Sequence, residues 1–385
     1  MGALAGISVL DLSRVLAGPW AGQLLADLGA DVIKVESPGR GDDTRHWGPP
    51  WTGPDGGESA YYLCANRGKR SVTLDLKSDA GRAALYRLAE DADVLIENFR
   101  AGTAAKLGID YDTLAARNPR LVYCAITGFG QSGPYREQPG YDFLVQAMGG
   151  LMSVTGEADD RPGAGPQKIG VALSDILTGL YASNGILAAL QERERSGRGQ
   201  YIDLALFDVT AACLANQATN FLVGGEVPRR LGNAHPNIVP YQSFASSDGH
   251  FILAVGNDGQ FRRLCAALGE PQLAEDARFA SNAARVAHRK ELTPRLQAYF
   301  RQAGSAHWLA LCAAHDVPAG PINTIDAVFS DPQIRARDML IEMAHPENPA
   351  LRLAGNPLRL SRTPVRYRRP PPLLGEHNEE ILGER

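Results

Sequence analysis

Residues 7–36 read Ile7-Ser-Val-Leu-Asp-Leu-Ser-Arg-Val-Leu-Ala-Gly-Pro-Trp-Ala-Gly-Gln-Leu-Leu-Ala-Asp-Leu-Gly-Ala-Asp-Val-Ile-Lys-Val-Glu36. The apolar run Ile7–Leu12 reads as a buried strand, and Asp31–Glu36 as a second. A Gly-Pro turn separates the first strand from a helix over Pro19–Leu28. Further short β-rich runs follow at Ser71–Leu76, Val94–Glu97 and Leu121–Thr127, with helical stretches between them. Strand–helix alternation of this kind predicts an α/β fold with a parallel sheet covered on both faces. The turn after the first strand is Leu16-Ala17-Gly18-Pro19, not the glycine fingerprint of dinucleotide-binding proteins. Proline removes an amide that would hold a pyrophosphate, so the architecture reads as Rossmann-like without a nicotinamide cofactor.

Working outward, 385 residues exceed what one core usually supports, and the texture changes after residue 225. The reading assigns 1–200 and 331–385 to a large domain and 226–318 to a small α+β domain. Segments 201–225 and 319–330 serve as linkers, the first holding a strand at Tyr201–Leu204 and a linking helix at Phe207–Leu222. A long helix runs from Asp175 to about Arg195, with Ser174 as its N-cap. Hairpin-like runs at Tyr241–Phe244 and Phe251–Val255 open the small domain.

The composition, 44% hydrophobic and 21% charged, is that of an ordinary globular chain. A net charge of −4 without a basic tract argues against nucleic acid as a partner. The five cysteines form no CxxC pair, which suits a reducing, cytoplasmic setting. No apolar run approaches the roughly 20 residues of a membrane span. The eight histidines show no HExxH spacing, so no metal site is expected. Neither a GxSxG elbow nor a phosphate-binding GxxxxGK[ST] loop is present.

The stretch that can carry chemistry is Lys168-Ile-Gly-Val-Ala-Leu-Ser-Asp-Ile-Leu-Thr-Gly-Leu-Tyr181. Asp175 sits at the start of the long helix among Leu173, Ile176 and Leu177. Two readings are open from the residues alone: a helix-capping carboxylate, or a poorly solvated one available as a nucleophile.

Several ordered words decide between them. They are Leu10-Asp-Leu-Ser-Arg-Val-Leu-Ala-Gly-Pro19, Leu28-Gly-Ala-Asp-Val-Ile-Lys-Val-Glu36, Gly41-Asp-Asp-Thr-Arg45, Asn66-Arg-Gly-Lys-Arg-Ser71, Asp93-Val-Leu-Ile-Glu-Asn-Phe-Arg100, Thr127-Gly-Phe-Gly-Gln-Ser-Gly-Pro134, Gly140-Tyr-Asp142 and Ser196-Gly-Arg-Gly-Gln200. With these the chain resembles the family III CoA-transferases, of which formyl-CoA transferase is the type. The resemblance implies that Asp175 is the catalytic nucleophile, passing through an aspartyl anhydride and an aspartyl–CoA thioester. It implies coenzyme A and acyl-CoA as substrates rather than resident cofactors, and amides at the helix N-terminus as donors to the oxyanion. It places Leu16, Ala17, Leu74, Lys77, Asn98, Phe99, Arg100, Lys106 and Tyr141 around the CoA. Leu16 stands where the formyl enzymes carry glutamine, and Ser37 where they carry a nucleotide-contacting arginine.

In the small domain, Val255-Gly-Asn-Asp-Gly-Gln260 matches the flexible loop that covers the aspartyl intermediate. The words Arg230-Leu-Gly-Asn-Ala-His-Pro-Asn-Ile-Val-Pro-Tyr-Gln242, Gly320-Pro-Ile-Asn323 and Arg369-Pro-Pro-Pro-Leu-Leu-Gly375 are closer to the succinyl-CoA:glutarate CoA-transferases. That likeness implies succinyl-CoA as donor and a small dicarboxylic acid as acceptor. Arg45, His235, Gly256, Gly259 and Gln260 are then candidates to contact the acid. The family fold also implies an interlocked homodimer. Two rivals remain: an α-methylacyl-CoA racemase, and a non-catalytic CoA-binding protein. A racemase needs a histidine where this chain has Tyr141, and a phenol with a pKa of about 10 is a poor base at neutral pH.

Overall fold

The computed structural model describes residues 1–53 and 56–383. The chain divides into two compact units. The larger comprises Met1–Leu151, Lys168–Gly224 and Pro332–Arg385, the smaller Met152–Gln167 and Gly225–Asp331.

In the larger unit the opening sequence forms β1 (Ser8–Asp11), α1 (Ala17–Asp27) and β2 (Asp31–Glu36). Then come β3 (Lys69–Thr73), β4 (Val94–Glu97), β5 (Val122–Thr127), α2 (Asp142–Met148), α3 (Leu173–Ser196) and β6 (Tyr201–Ala205). All six strands are parallel, in the order β3-β2-β1-β4-β5-β6. Alternate side chains supply opposite faces, as a period of two requires. Val9, Val32, Val94, Ile96 and Ile126 pack with Leu25 of α1 and Ile186 of α3. Leu10, Ile33, Val72, Leu95 and Tyr123 pack on the other face with Ala84 and Leu85. A sheet buried on both faces has near-continuous apolar strands, which is why these segments were legible. The helix α3 is long and apolar enough to cross a membrane, yet Ala182, Ile186 and Ala189 are at most 2% exposed within this core.

Three boundaries differ from the sequence reading. The strand expected at Tyr201–Leu204 runs to Ala205 and is the outer strand of the sheet, with Ile202 beside Cys124, so the first linker does not begin at 201. Ala319–Pro321 is likewise a strand, not a linker. Residues 152–167 belong with the smaller unit, where the Gly232 amide donates to the Gly156 carbonyl (3.1 Å) and Arg230 pairs with Asp159.

The tail closes the β3 side of the larger unit. The Arg369 carbonyl accepts from the Gly68 amide, and the Pro372 carbonyl accepts from Arg45 and the Tyr62 hydroxyl. The His377 amide donates to the Ser71 carbonyl, and Asn378 binds both polar groups of Thr73. After β6, the helix α4 (Ala215–Gly224) has no buried residue, and Leu222 and Val223 are 78% and 83% exposed.

The smaller unit is built on an antiparallel sheet of β7 (Tyr241–Ala245), β8 (His250–Ala254) and β9 (Ala319–Pro321), with β8 central. Phe244, Phe251 and Leu253 pack on Phe261 of α5 (Asp258–Ala267), Phe300 of α6 (Arg289–Phe300) and Trp308 of α7 (Ser305–Ala314).

Candidate active site

The strand order reverses direction between β1 and β4, because the chain leaves β1 toward β2 and leaves β4 toward β5. In an open parallel sheet the crevice for a ligand lies outside the carboxyl ends of the strands at that point. A cleft is found there. Arg14, Val15, Leu16 and Ala17 line it after β1, Asn98, Phe99 and Arg100 after β4, and Thr127 and Gly128 at the end of β5. Arg136, Gln138, Tyr141, Asp142 and Asp175 complete the wall.

Asp175 is in the first turn of α3 and 9% exposed. It caps nothing. The cap of α3 comes from another helix, through Asp142, the first residue of α2. Its Oδ1 accepts from the amides of Ser174 (2.8 Å) and Asp175 (3.3 Å), while its Oδ2 accepts from Gln146 (2.7 Å). Ser174, expected as the N-cap, is already helical; its hydroxyl accepts from Thr210 (2.8 Å). The amides expected to serve an oxyanion are therefore engaged. Leu173 donates to the Val171 carbonyl, Ile176 to that of Ala172, and the two amides between them to Asp142.

Burial raises the Asp175 carboxyl from its ordinary value, and the Asp142 charge raises it further, to about 7. Among the described residues no donor reaches its oxygens to oppose that shift. The result is a carboxylate that is weakly solvated, half-ionised near neutrality and open to a cleft. Desolvation with a charged neighbour is the pattern that marks functional carboxylates.

A close backbone approach brings Asp142 here. A Cβ added at Gly140 would lie 2.2 Å from the Gly128 Cα, and one at Gly128 would lie 2.4 Å from the Gly140 Cα. The two glycines thus let the Tyr141–Asp142 segment cross the end of β5 in contact.

The other residues singled out in the sequence separate into two sets. The cleft gathers Leu16, Ala17, Asn98, Phe99, Arg100 and Tyr141 with Asp175. It does not gather Leu74, which is packed in the core, or Lys77 and Lys106, which are exposed. Arg45, expected to meet the acid, is held inside the fold. It is 5% exposed and binds both oxygens of Glu36 (2.8 Å each), Glu58, the Tyr62 hydroxyl (2.6 Å) and the Pro372 carbonyl (3.2 Å). A guanidinium with every nitrogen engaged cannot also clamp a ligand carboxylate.

In the smaller unit, Asn257 caps α5 by accepting from the Gln260 amide (2.9 Å), and Gln260 Oε1 accepts from the Gly256 amide (2.7 Å). The segment Gly256–Gln260, with Gly259 inside the first turn of α5, is therefore an ordered helix start. His235 lies against Tyr241, ring centroids 5.3 Å apart, and burial together with Arg289 depresses its pKa. Sequence reasoning quoted Asp142 and Arg14 within longer words but gave them no role, and it passed over Arg136 and Gln138. Among the described residues no group of three or more His, Cys, Asp or Glu side chains is gathered as a metal ion would require.

Comparison with known proteins gives one answer. The chain is 52% identical over 384 residues to the succinate–glutarate CoA-transferase of Agrobacterium fabrum, covering 99% of this chain and 95% of that one. It is 42% identical over 381 residues to the human succinyl-CoA:glutarate CoA-transferase, covering 99% of this chain and 85% of that one. A crystal structure of a CAIB/BAIF family protein from Brucella suis superposes with a TM-score of 0.87 at 51% identity, covering 100% of this chain and 99% of that one. The profile of CoA-transferase family III matches residues 4–378. With a parallel sheet, a cleft at its switch point and a buried aspartate facing that cleft, the chain belongs to CoA-transferase family III and is a transferase.

Proposed function

We propose that this enzyme moves coenzyme A from succinyl-CoA, or a similar acyl-CoA, to a small dicarboxylic acid, with Asp175 as the nucleophile. The observation that carries the reading is the Asp175 carboxylate itself, at the cleft, raised by burial and by Asp142, with no hydrogen-bond donor among the described residues. A carboxylate so placed is a better nucleophile than a solvated one, because little hydration must be stripped from it.

An Asp175 oxygen attacks the thioester carbonyl and the C–S bond breaks, giving a mixed anhydride and CoA thiolate. The thiolate attacks the aspartyl carbonyl and the anhydride C–O bond breaks. One acid leaves as carboxylate, and an aspartyl–CoA thioester remains. The incoming acid runs the same two steps in reverse. One thioester replaces another, no redox change occurs, and Asp175 is regenerated. Arg100 and Arg136, with Arg14 paired to Asp43 (3.1 Å), are the cations of the cleft wall that can meet the phosphates of CoA.

The dicarboxylate assignment rests on the names of the relatives and on Leu16 in place of the formyl-type glutamine. Incubating the enzyme with succinyl-CoA and a panel of acids, and following product thioesters by mass, tests it. Four- and five-carbon diacids should be at least ten times better acceptors than formate or butyrate; the reverse order would exclude the assignment.

The bare face of α4 supports a homodimer, since a helix exposing Leu222 and Val223 needs a covering surface. Interlocked chains should remain dimeric at nanomolar concentration by mass photometry, whereas a folded, active monomer would rule that assembly out. The five thiols, all free, suit a cytoplasmic setting.

A further inference from the structure

Two of the sequence words that brought the family to view have no place in the chemistry above. Leu28-Gly-Ala-Asp-Val-Ile-Lys-Val-Glu36 supplies Lys34, and Gly41-Asp-Asp-Thr-Arg45 supplies Asp42. Both side chains are 0% exposed, neither lines the cleft, and they pair at 2.8 Å. Burial would raise the Asp42 carboxyl, but Lys34 and the Thr44 groups hold it down to about 2, so the pair stays charged across the working range.

Asp42 Oδ1 also caps the short helix at Asp43–His46, accepting from the Thr44 amide (3.0 Å) and hydroxyl (2.8 Å), and the pair's other side-chain bonds go to one loop. Lys34 Nζ donates to the Ser13 carbonyl (2.9 Å), and Asp42 Oδ1 accepts from the Val15 amide (3.2 Å). From the other side Asn98 brackets the Arg14 peptide. Its Oδ1 accepts from the Arg14 amide (2.8 Å), and its Nδ2 donates to the Arg14 carbonyl (2.7 Å). Between these clamps Val15 has φ of +71°. A β-branched residue in the left-handed region is strained, and such strain persists only where surrounding contacts over-determine it. The next two residues are Leu16 and Ala17, which face the same cleft as Asp175.

We propose that the buried Lys34–Asp42 pair is a positioning device, which with Asn98 forces Val15 into a left-handed turn and so sets Leu16 and Ala17 against the acyl-CoA arm. This rests on the reading that acyl-CoA occupies the cleft. The device explains why a charged pair is buried between β2 and the loop after it, since hydrophobic residues of similar volume are often at least as stable in such a place. Its product is the path of three residues of backbone.

The strain supplies a test that a merely structural role would not pass. Glycine adopts positive φ without being forced. Asp42→Ala should lower kcat/KM for acyl-CoA about 30-fold, since a displacement near 1 Å can cost on the order of 100-fold. Adding Val15→Gly should recover at least fivefold of that loss, with Val15→Gly alone as the reference background for the double variant. If Asp42→Ala fails to fold, Asn98→Ala with and without Val15→Gly cuts the other clamp and should show the same rescue. Rates are compared per folded enzyme by circular dichroism. Full activity in Asp42→Ala, or no rescue by glycine in either background, overturns the proposal. Because rescue is read on overall CoA exchange, it is separable from the nucleophile assignment, which is tested by CoA adduct formation on Asp175.

Discussion

Replacing Asp175 with asparagine should lower CoA transfer by at least three orders of magnitude while leaving CoA affinity within a few-fold of wild type. The substitution keeps the volume and removes the anion that must attack. Binding energy comes mainly from contacts far from the reacting carbon, so it should survive. Wild-type enzyme incubated with succinyl-CoA should carry CoA on the peptide containing Ser174-Asp175-Ile176, and the variant should carry none. A label on Asp142, or transfer at a tenth of the normal rate in the variant, would sink the mechanism. Since Asp142 rather than Asp175 caps α3, the helix should be intact in both proteins.

The same substitution has a stability signature with a definite sign. The Asp175 carboxyl titrates near 7 in the folded protein, above its unfolded value of about 3.9. Its contribution is fully present below the unfolded value and is lost as pH rises through 7. Asparagine does not ionise, so the variant should gain on wild type as pH rises. Between pH 5 and pH 8 the difference in unfolding free energy should move by roughly 2–3 kcal/mol in favour of the variant. Denaturant titrations at the two pH values read this shift, and parallel curves would mean that Asp175 is not desolvated. In the wild type, the acyl-CoA kcat/KM should fall below pH 7 as the nucleophile is protonated.

Gly140→Ala should cost about 100-fold in kcat/KM, although position 140 touches no reacting atom. The new methyl would lie 2.2 Å from the Gly128 Cα, so the two chains must part by more than an ångström. Tyr141 and Asp142 follow directly, and Asp142 holds the α3 amides at 2.8 and 3.3 Å. Moving Asp142 outward uncaps α3 and weakens the second of the two causes, after burial, that raise Asp175. The acid limb of the rate profile should then shift below pH 7 together with the loss of rate. Gly170→Ala, where a Cβ meets nothing within 4 Å, is the control and should change the rate less than twofold. Equal behaviour of the two variants would show that the glycine contact does not position the site.

What could be read before the structure was known follows a physical division. Strands buried on both faces announce themselves as apolar runs, so the five leading strands were legible and their order was not. Tyr201–Leu204 was legible as a strand, but it was grouped with the linker, because an outer strand alternates polar and apolar residues, here Tyr-Ile-Asp-Leu-Ala, and nothing in that pattern ties it to the sheet. Asp175 was legible as a residue, but its environment was not. The cap assigned to Ser174 by local rules is delivered by Asp142, 32 residues earlier in the chain. Arg45 failed for the opposite reason. Its partners Glu36, Glu58, Tyr62 and Pro372 are scattered along the sequence, so nothing local announces that the guanidinium is taken.

The tail that closes the β3 side has a consequence for how the chain is made. Synthesis releases the N-terminal strands first, and such segments begin to fold while the rest is still emerging. Arg45 and Tyr62 lack their Pro372 acceptor until 327 and 310 further residues have been added. The hydrogen bonds of Ser71 and Thr73 to His377 and Asn378 arrive later still. Through most of translation, then, β3 is an open edge on a growing sheet, a surface prone to pairing with other chains. Only residues 369–378 cover it, so a chain that stopped before Arg369 would keep the rest of the sheet with its β3 edge unguarded.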